Sequence, residues 1–305
     1  MVSRGTPPAG HEWYSVLREL VYQFHMPFFM YISGSIMFYT YVPATSWADY
    51  VGYARKKIFR RLPAFFLFGF FIGLGKELFR HFMHVDNLPA NFLHGLVDLF
   101  IQPTNSYASS LWFIYVLAIY YMLIPLILVV IRDRLETLLL LGLLVHFLPV
   151  TNYFALQRAA EYLFVFSLGM YAIAHRDFYL PWIDRFPTVW MILFFSSFLL
   201  TPVPNSVSKL MIGLCSLPAL HSLVRLPVLA QETLLKTLGE FTFPIYLMNT
   251  ICIGLAKGIT LKFIPWEREY FFVFFVLLFA SGLGLPIVVK KYFFKKIPWL
   301  DRMTM

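Results

Sequence analysis

His25 lies in Tyr22–Val42, YQFHMPFFMYISGSIMFYTYV, a stretch long and apolar enough to cross a bilayer. An imidazole inside an apolar span is expensive unless it faces a partner, a cavity or a substrate, which makes it a functional-site candidate. A neutral imidazole, with an ordinary pKa of about 6.5, can take a proton from a hydroxyl and later release it, as acyl transfer to a sugar alcohol requires. The plainer reading is a histidine near an interface, bonded to a neighbouring helix.

A second group of chemically capable residues follows at Ala54–Pro63, ARKKIFRRLP, with five Lys/Arg between Arg55 and Arg61. On a helix Lys57, Arg60 and Arg61 fall on one face and can converge on phosphates, such as those of an acyl-coenzyme A. The same charges also serve as the topogenic anchor that follows a membrane span. Weaker candidates sit at the edges of other apolar runs. Glu161 can orient an imidazole or bind a sugar hydroxyl, or simply face water. Trp112 in SSLWFIY can be a ring platform or an interfacial anchor. Asn249 closes the stretch that begins at Pro244, His146 lies near a span end, and Lys76 and Glu77 can pair. His81, His84 and His94 lack metal-ligand spacing, so no metal site is expected.

Composition sets what must position these residues. Hydrophobic residues make up 59% of the 305, aromatics 19% and charged residues 13%, and mean hydropathy is +0.69, which implies a polytopic membrane protein. The apolar runs are too long for barrel strands, so the expected fold is all-α, a transmembrane helix bundle. A net charge of +9 would suggest nucleic acid in a soluble protein. Here the basic residues cluster beside apolar runs, the pattern of positive-inside loops, and no nucleic-acid partner is expected. Cys215 and Cys252 give no disulfide or metal spacing. The polar opening MVSRGTPPAGHEW lacks the apolar core of a cleavable signal, and no Gly-rich nucleotide fingerprint occurs.

About nine spans are expected: Tyr22–Val42, Pro63–Phe79, Leu111–Ile131, Thr137–Val150, Ala160–Ala174, Pro187–Pro202, Val207–Arg225, Thr242–Ile259 and Tyr270–Val289. The whole of 1–305 reads as one membrane domain. It carries a polar N-terminal arm at 1–21, whose Trp13–Val21 part is a candidate short interfacial helix, and a basic tail at 290–305. Pro63 suits a helix start. Alternating the spans puts the strong basic clusters on one side, with the C-terminus cytoplasmic and the N-terminus outside; Lys257, Lys262 and Arg268 dissent. The longest connector, Arg80–Ser110, contains an amphipathic piece at Phe92–Gln102.

Five segments in this order, FHMPFFMYISG (Phe24–Gly34), ARKKIFRRLP, LWFIYVL (Leu111–Leu117), FVFSLGMY (Phe164–Tyr171) and LGEFTFPIYLMN (Leu238–Asn249), resemble the acyltransferase family 3 membrane proteins. The branch resembled most contains sugar O-acetyltransferases of the fucose O-acetylase type. The resemblance implies an enzyme of the inner membrane, moving an acyl group, usually acetyl from acetyl-CoA as cosubstrate, onto a hydroxyl of a cell-envelope glycan or similar acceptor. It implies a catalytic role for His25 and donor binding at Lys57 and Arg60, with Lys57 standing where the family usually has Arg. Such proteins begin with a span bearing an arginine and a histidine about ten residues apart. Nothing here matches it, so the chain reads as a member lacking its first helix, and Asn249 stands where a histidine is common. A transporter or flippase of an amphiphilic glycan or lipid intermediate, or an inactive relic, is the alternative.

Overall fold

The computed structural model describes residues 10–41, 46–81, 85, 88–89, 91–200 and 206–304, the side chain of Arg60 excepted. It is helical throughout, with no strand among the described residues. The helices are α1 (Glu12–Thr40), α2 (Trp47–Phe79), α3 (Phe92–Ile101), α4 (Trp112–Val130), α5 (Leu135–His146), α6 (Leu156–Ala174), α7 (Arg176–Arg185), α8 (Pro187–Ser197), α9 (Ser206–Arg225), α10 (Pro227–Ala230), α11 (Thr233–Glu240), α12 (Thr242–Thr260), α13 (Phe271–Tyr292) and α14 (Pro298–Met303).

Among the described residues, five helices are long and apolar enough to cross a membrane, within Trp47–Phe79, Ser109–Val130, Ser206–Arg225, Thr242–Thr260 and Arg268–Lys296. A sixth crossing counts if Arg176–Arg185 and Pro187–Leu200, bent by 81°, form one broken span. The expectation of about nine is therefore not met by length and apolarity alone. The shortfall has a physical pattern. α1 carries Gln23 and His25, α6 carries Arg158 and Glu161, and α5 is short and ends at His146. All of these polar groups line one cavity between the helices, the setting in which ionisable residues of a membrane protein are usually found.

Two boundaries differ from expectation. Trp13–Val21 is not a separate interfacial helix but the first part of α1. Pro63 starts nothing: α2 runs unbroken from Trp47 through the basic run, capped by Ser46, whose Oγ accepts from the Asp49 N–H at 3.2 Å. The basic run thus rides in the middle of a helix rather than in a connector. α3 matches the amphipathic piece seen in the sequence; Asn91 caps it by accepting from the Leu93 N–H at 2.9 Å, and Leu99 buries against Gly69 of α2.

α6 is the hub. A Cβ at Gly34 would run into the Phe166 carbonyl, and one at Gly169 into the Tyr31 carbonyl, so the two glycines permit a backbone crossing that no larger residue allows. Ser35 Oγ bonds across it to the Gly169 carbonyl at 3.1 Å. On another flank Gly142 lets α5 pack against Phe164. Ring contacts fix the register of the rest. Trp112 meets Tyr162 and Tyr120 meets Phe166, so α4 and α6 run in the same direction. Phe29, past the middle of α1, meets Phe113, while Thr40 at its C-terminal end joins Lys57, which faces Tyr121, so α1 runs that way too.

Candidate functional site

Between these helices lies a cavity of about 1090 Å³. His25, Arg61, Trp112, Glu161 and Asn249, five of the sequence candidates, line it. It follows α1 from Tyr22 to Ile36, a depth of roughly 21 Å at the helical rise per residue, which is most of a bilayer's hydrocarbon thickness.

One end belongs to α2. Lys57 and Arg61, one turn apart, both face the ring of Tyr121, at 5.4 and 4.5 Å from its centre. Lys57 Nζ donates to Thr40 Oγ1 at 2.8 Å and sits 5.6 Å from the Tyr53 ring. Arg61 lines the cavity; Lys57 stands behind it, off the lining. Arg60 shares the helix, but its side chain lies outside the described residues.

The opposite end holds His25. Its Nδ1 is 2.9 Å from the Val21 carbonyl, and a carbonyl can only accept, so Nδ1 carries the proton and Nε2 the lone pair of the neutral ring. α6 brings Arg158 and Glu161 to the same level, paired through Nη1 and Oε2 at 2.7 Å. The Arg158 guanidinium lies over the Trp112 ring at 5.5 Å, and Tyr162 stacks on that ring at 5.5 Å. Trp112, read from the sequence as a ring platform or an interfacial anchor, lines the cavity with Arg158 and Tyr162 against its ring. Asn249 Oδ1 accepts from Thr250 Oγ1 at 3.1 Å; the same hydroxyl reaches Ser110 Oγ, and Tyr246 donates to the Ser110 carbonyl.

Sequence reasoning passed over Arg158 and left His146 without a role. Arg158 precedes Glu161 by three residues, the spacing of a helical ion pair, but it fell outside the span drawn from Ala160. His146 Nδ1 lies 2.7 Å from the Glu161 carbonyl, while its Nε2 is buried with no partner. An unmet buried acceptor costs about 1–3 kcal/mol. Gln23 Oε1 is in the same condition, and both residues line the cavity.

A helical membrane bundle with a cavity between its helices, cationic at one end and holding an oriented imidazole at the other, defines the class of protein. The sequence matches the acyltransferase domain of acyltransferase family 3 over residues 2–291, nearly the whole chain, and the chain belongs to that family. It is a multi-pass membrane acyltransferase in the general sense of that family. No curated protein and no solved structure matches it.

Proposed function

We propose that the protein moves an acyl group, acetyl in the simplest case, from acyl-coenzyme A to a hydroxyl of a cell-envelope glycan or a similar acceptor. The observation that supports this is the single cavity reaching from Arg61 to His25. Arg61, with the charge of Lys57 behind it and Arg60 on the same helix, holds the coenzyme phosphates, and the extended pantetheine arm carries the thioester along the cavity toward His25. His25 Nε2 takes the proton of the acceptor hydroxyl as its oxygen attacks the thioester carbonyl. The C–O bond forms, the C–S bond breaks, and the proton passes from the imidazolium to the departing thiolate. Glu161 and Asn249 bind acceptor hydroxyls. The Arg61 end faces the cytoplasm in this scheme, as the positive-inside pattern of the basic run requires.

Acetyl-CoA binding to the purified full chain tests the donor half. Each charge-assisted bond is worth about 1.5–3 kcal/mol, so Arg61→Ala weakens binding by roughly ten- to a hundredfold, and the double replacement with Lys57→Ala by more. Binding indifferent to both replacements removes the donor site. The broken span at α7 and α8 also fits a conduit for an amphiphile. Movement of a lipid-linked glycan across vesicles without consumption of acetyl-CoA would favour that reading over the enzyme.

A further inference from the structure

Arg61 lines the cavity, and few groups of the protein hold it there. Among the described residues no carboxylate pairs with it, and its Nη1 reaches the Lys57 carbonyl one turn back only at 3.5 Å, the limit of a hydrogen bond. What remains is the Tyr121 ring, whose centre lies 4.5 Å from the guanidinium carbon.

α4, which carries no charged residue, supplies that ring. The helix sends two adjacent tyrosines to different neighbours. Tyr120 donates to the Ala159 carbonyl of α6 at 2.7 Å and packs on Phe166, while Tyr121 turns to α2. Tyr121 is 2% exposed and belongs to the main core, so its ring does not wander. The second cation facing it, Lys57 at 5.4 Å, is itself tied to Thr40 at the end of α1. An arginine stacked on an aromatic face keeps its N–H edge free, and that edge matches a phosphate.

We infer that Tyr121 is a positioning residue for the acyl donor: its ring holds the Arg61 guanidinium in the cavity wall, so the coenzyme phosphates meet an ion already in place. Such preorganisation raises affinity by lowering the ordering cost of binding. The assignment rests on the acyltransferase reading above and adds to its donor site an uncharged residue that acts through Arg61.

The test is acetyl-CoA binding to the full chain in nanodiscs. Tyr121→Leu weakens it by roughly three- to thirtyfold, the worth of a desolvated cation–π contact. Tyr121→Phe, which keeps the ring, holds most of the affinity. Replacing Tyr121 with a fluorinated phenylalanine keeps the shape of the ring and leaves no gap in the core, but drains negative charge from its face; binding weakens relative to Tyr121→Phe. In an Arg61→Ala background none of these replacements weakens binding further. The assignment is overturned if Tyr121→Leu costs as much in that background as in the wild type, or if the fluorinated ring serves as well as phenylalanine. A wild-type chain that binds no acetyl-CoA fails the acyltransferase reading instead. The positioning role is then read from the rate at which phenylglyoxal modifies Arg61, followed by mass spectrometry. That reaction needs the neutral guanidine, which the ring disfavours, so Arg61 reacts about threefold faster or more beside the fluorinated ring than in Tyr121→Phe. Equal rates disprove the assignment.

Discussion

At the scale of single residues, the cavity presents an imidazole whose orientation is fixed. His25 is held by a backbone carbonyl one turn earlier in its own helix, so the direction of its lone pair is set by α1 alone and needs no partner side chain. His25→Gln keeps a polar group but loses the proton acceptor. Transfer should fall by about 10²–10⁴-fold while acetyl-CoA binding stays at the wild-type level, as titration of both proteins would show. Arg158 has a different task. It neutralises Glu161 at 2.7 Å and lies over Trp112, so Arg158→Ala leaves the carboxylate unpaired in the cavity wall. The expected result is a raised KM for the acceptor with donor binding intact, measured by varying each substrate in turn. His25 and Glu161 could be picked out of the sequence because a titratable group in an apolar run is anomalous. Arg158 could not, because at a helix mouth an arginine looks like any interfacial charge.

The elements explain why the chamber exists. α1 and α6 cross at Gly34 and Gly169 with their backbones in contact, which sets the level of His25 against that of Glu161. Gly34→Leu or Gly169→Leu forces the helices apart. The expected destabilisation is about 1–3 kcal/mol or more, read as a lower Tm in detergent, with transfer lost even where the protein still folds. Both glycines sit in segments, FHMPFFMYISG and FVFSLGMY, that stand out in the sequence, yet their meaning is a contact between distant helices that no local pattern reveals. The helical class and most helix positions followed directly from apolar run lengths. Length and apolarity alone pick out fewer crossings, because α1 and α6 carry polar side chains that line the cavity and α5 has only 12 residues. The start expected at Pro63 failed for a related reason: the flanking residues carry α2 straight through the proline.

For the molecule as a whole, the C-terminal segment is part of the bundle. Residues 290–305 read as a basic tail, but Lys290 belongs to α13 and is buried, its Nζ bonded to Asp301 Oδ1 at 2.6 Å, to the Asp301 carbonyl at 2.9 Å and to Thr304 Oγ1 at 2.9 Å. This clamp folds α14 back, so that Met303 and Phe294 pack on the main core. Lys290→Met strands a largely buried carboxylate, at a loss of about 3 kcal/mol. Limited proteolysis should then cut beyond Tyr292 in the variant and spare the wild type.

α2 has 33 residues and extends for roughly 50 Å, well beyond the ~30 Å that hydrocarbon requires. Its first turns are nevertheless tied into the bundle: Tyr50 donates to the Met122 carbonyl of α4 at 3.1 Å, and Ala54 is buried. The same helix thus fastens α4 through Tyr50 and carries Arg61 to the cavity three turns on, so loosening the first contact is felt at the second.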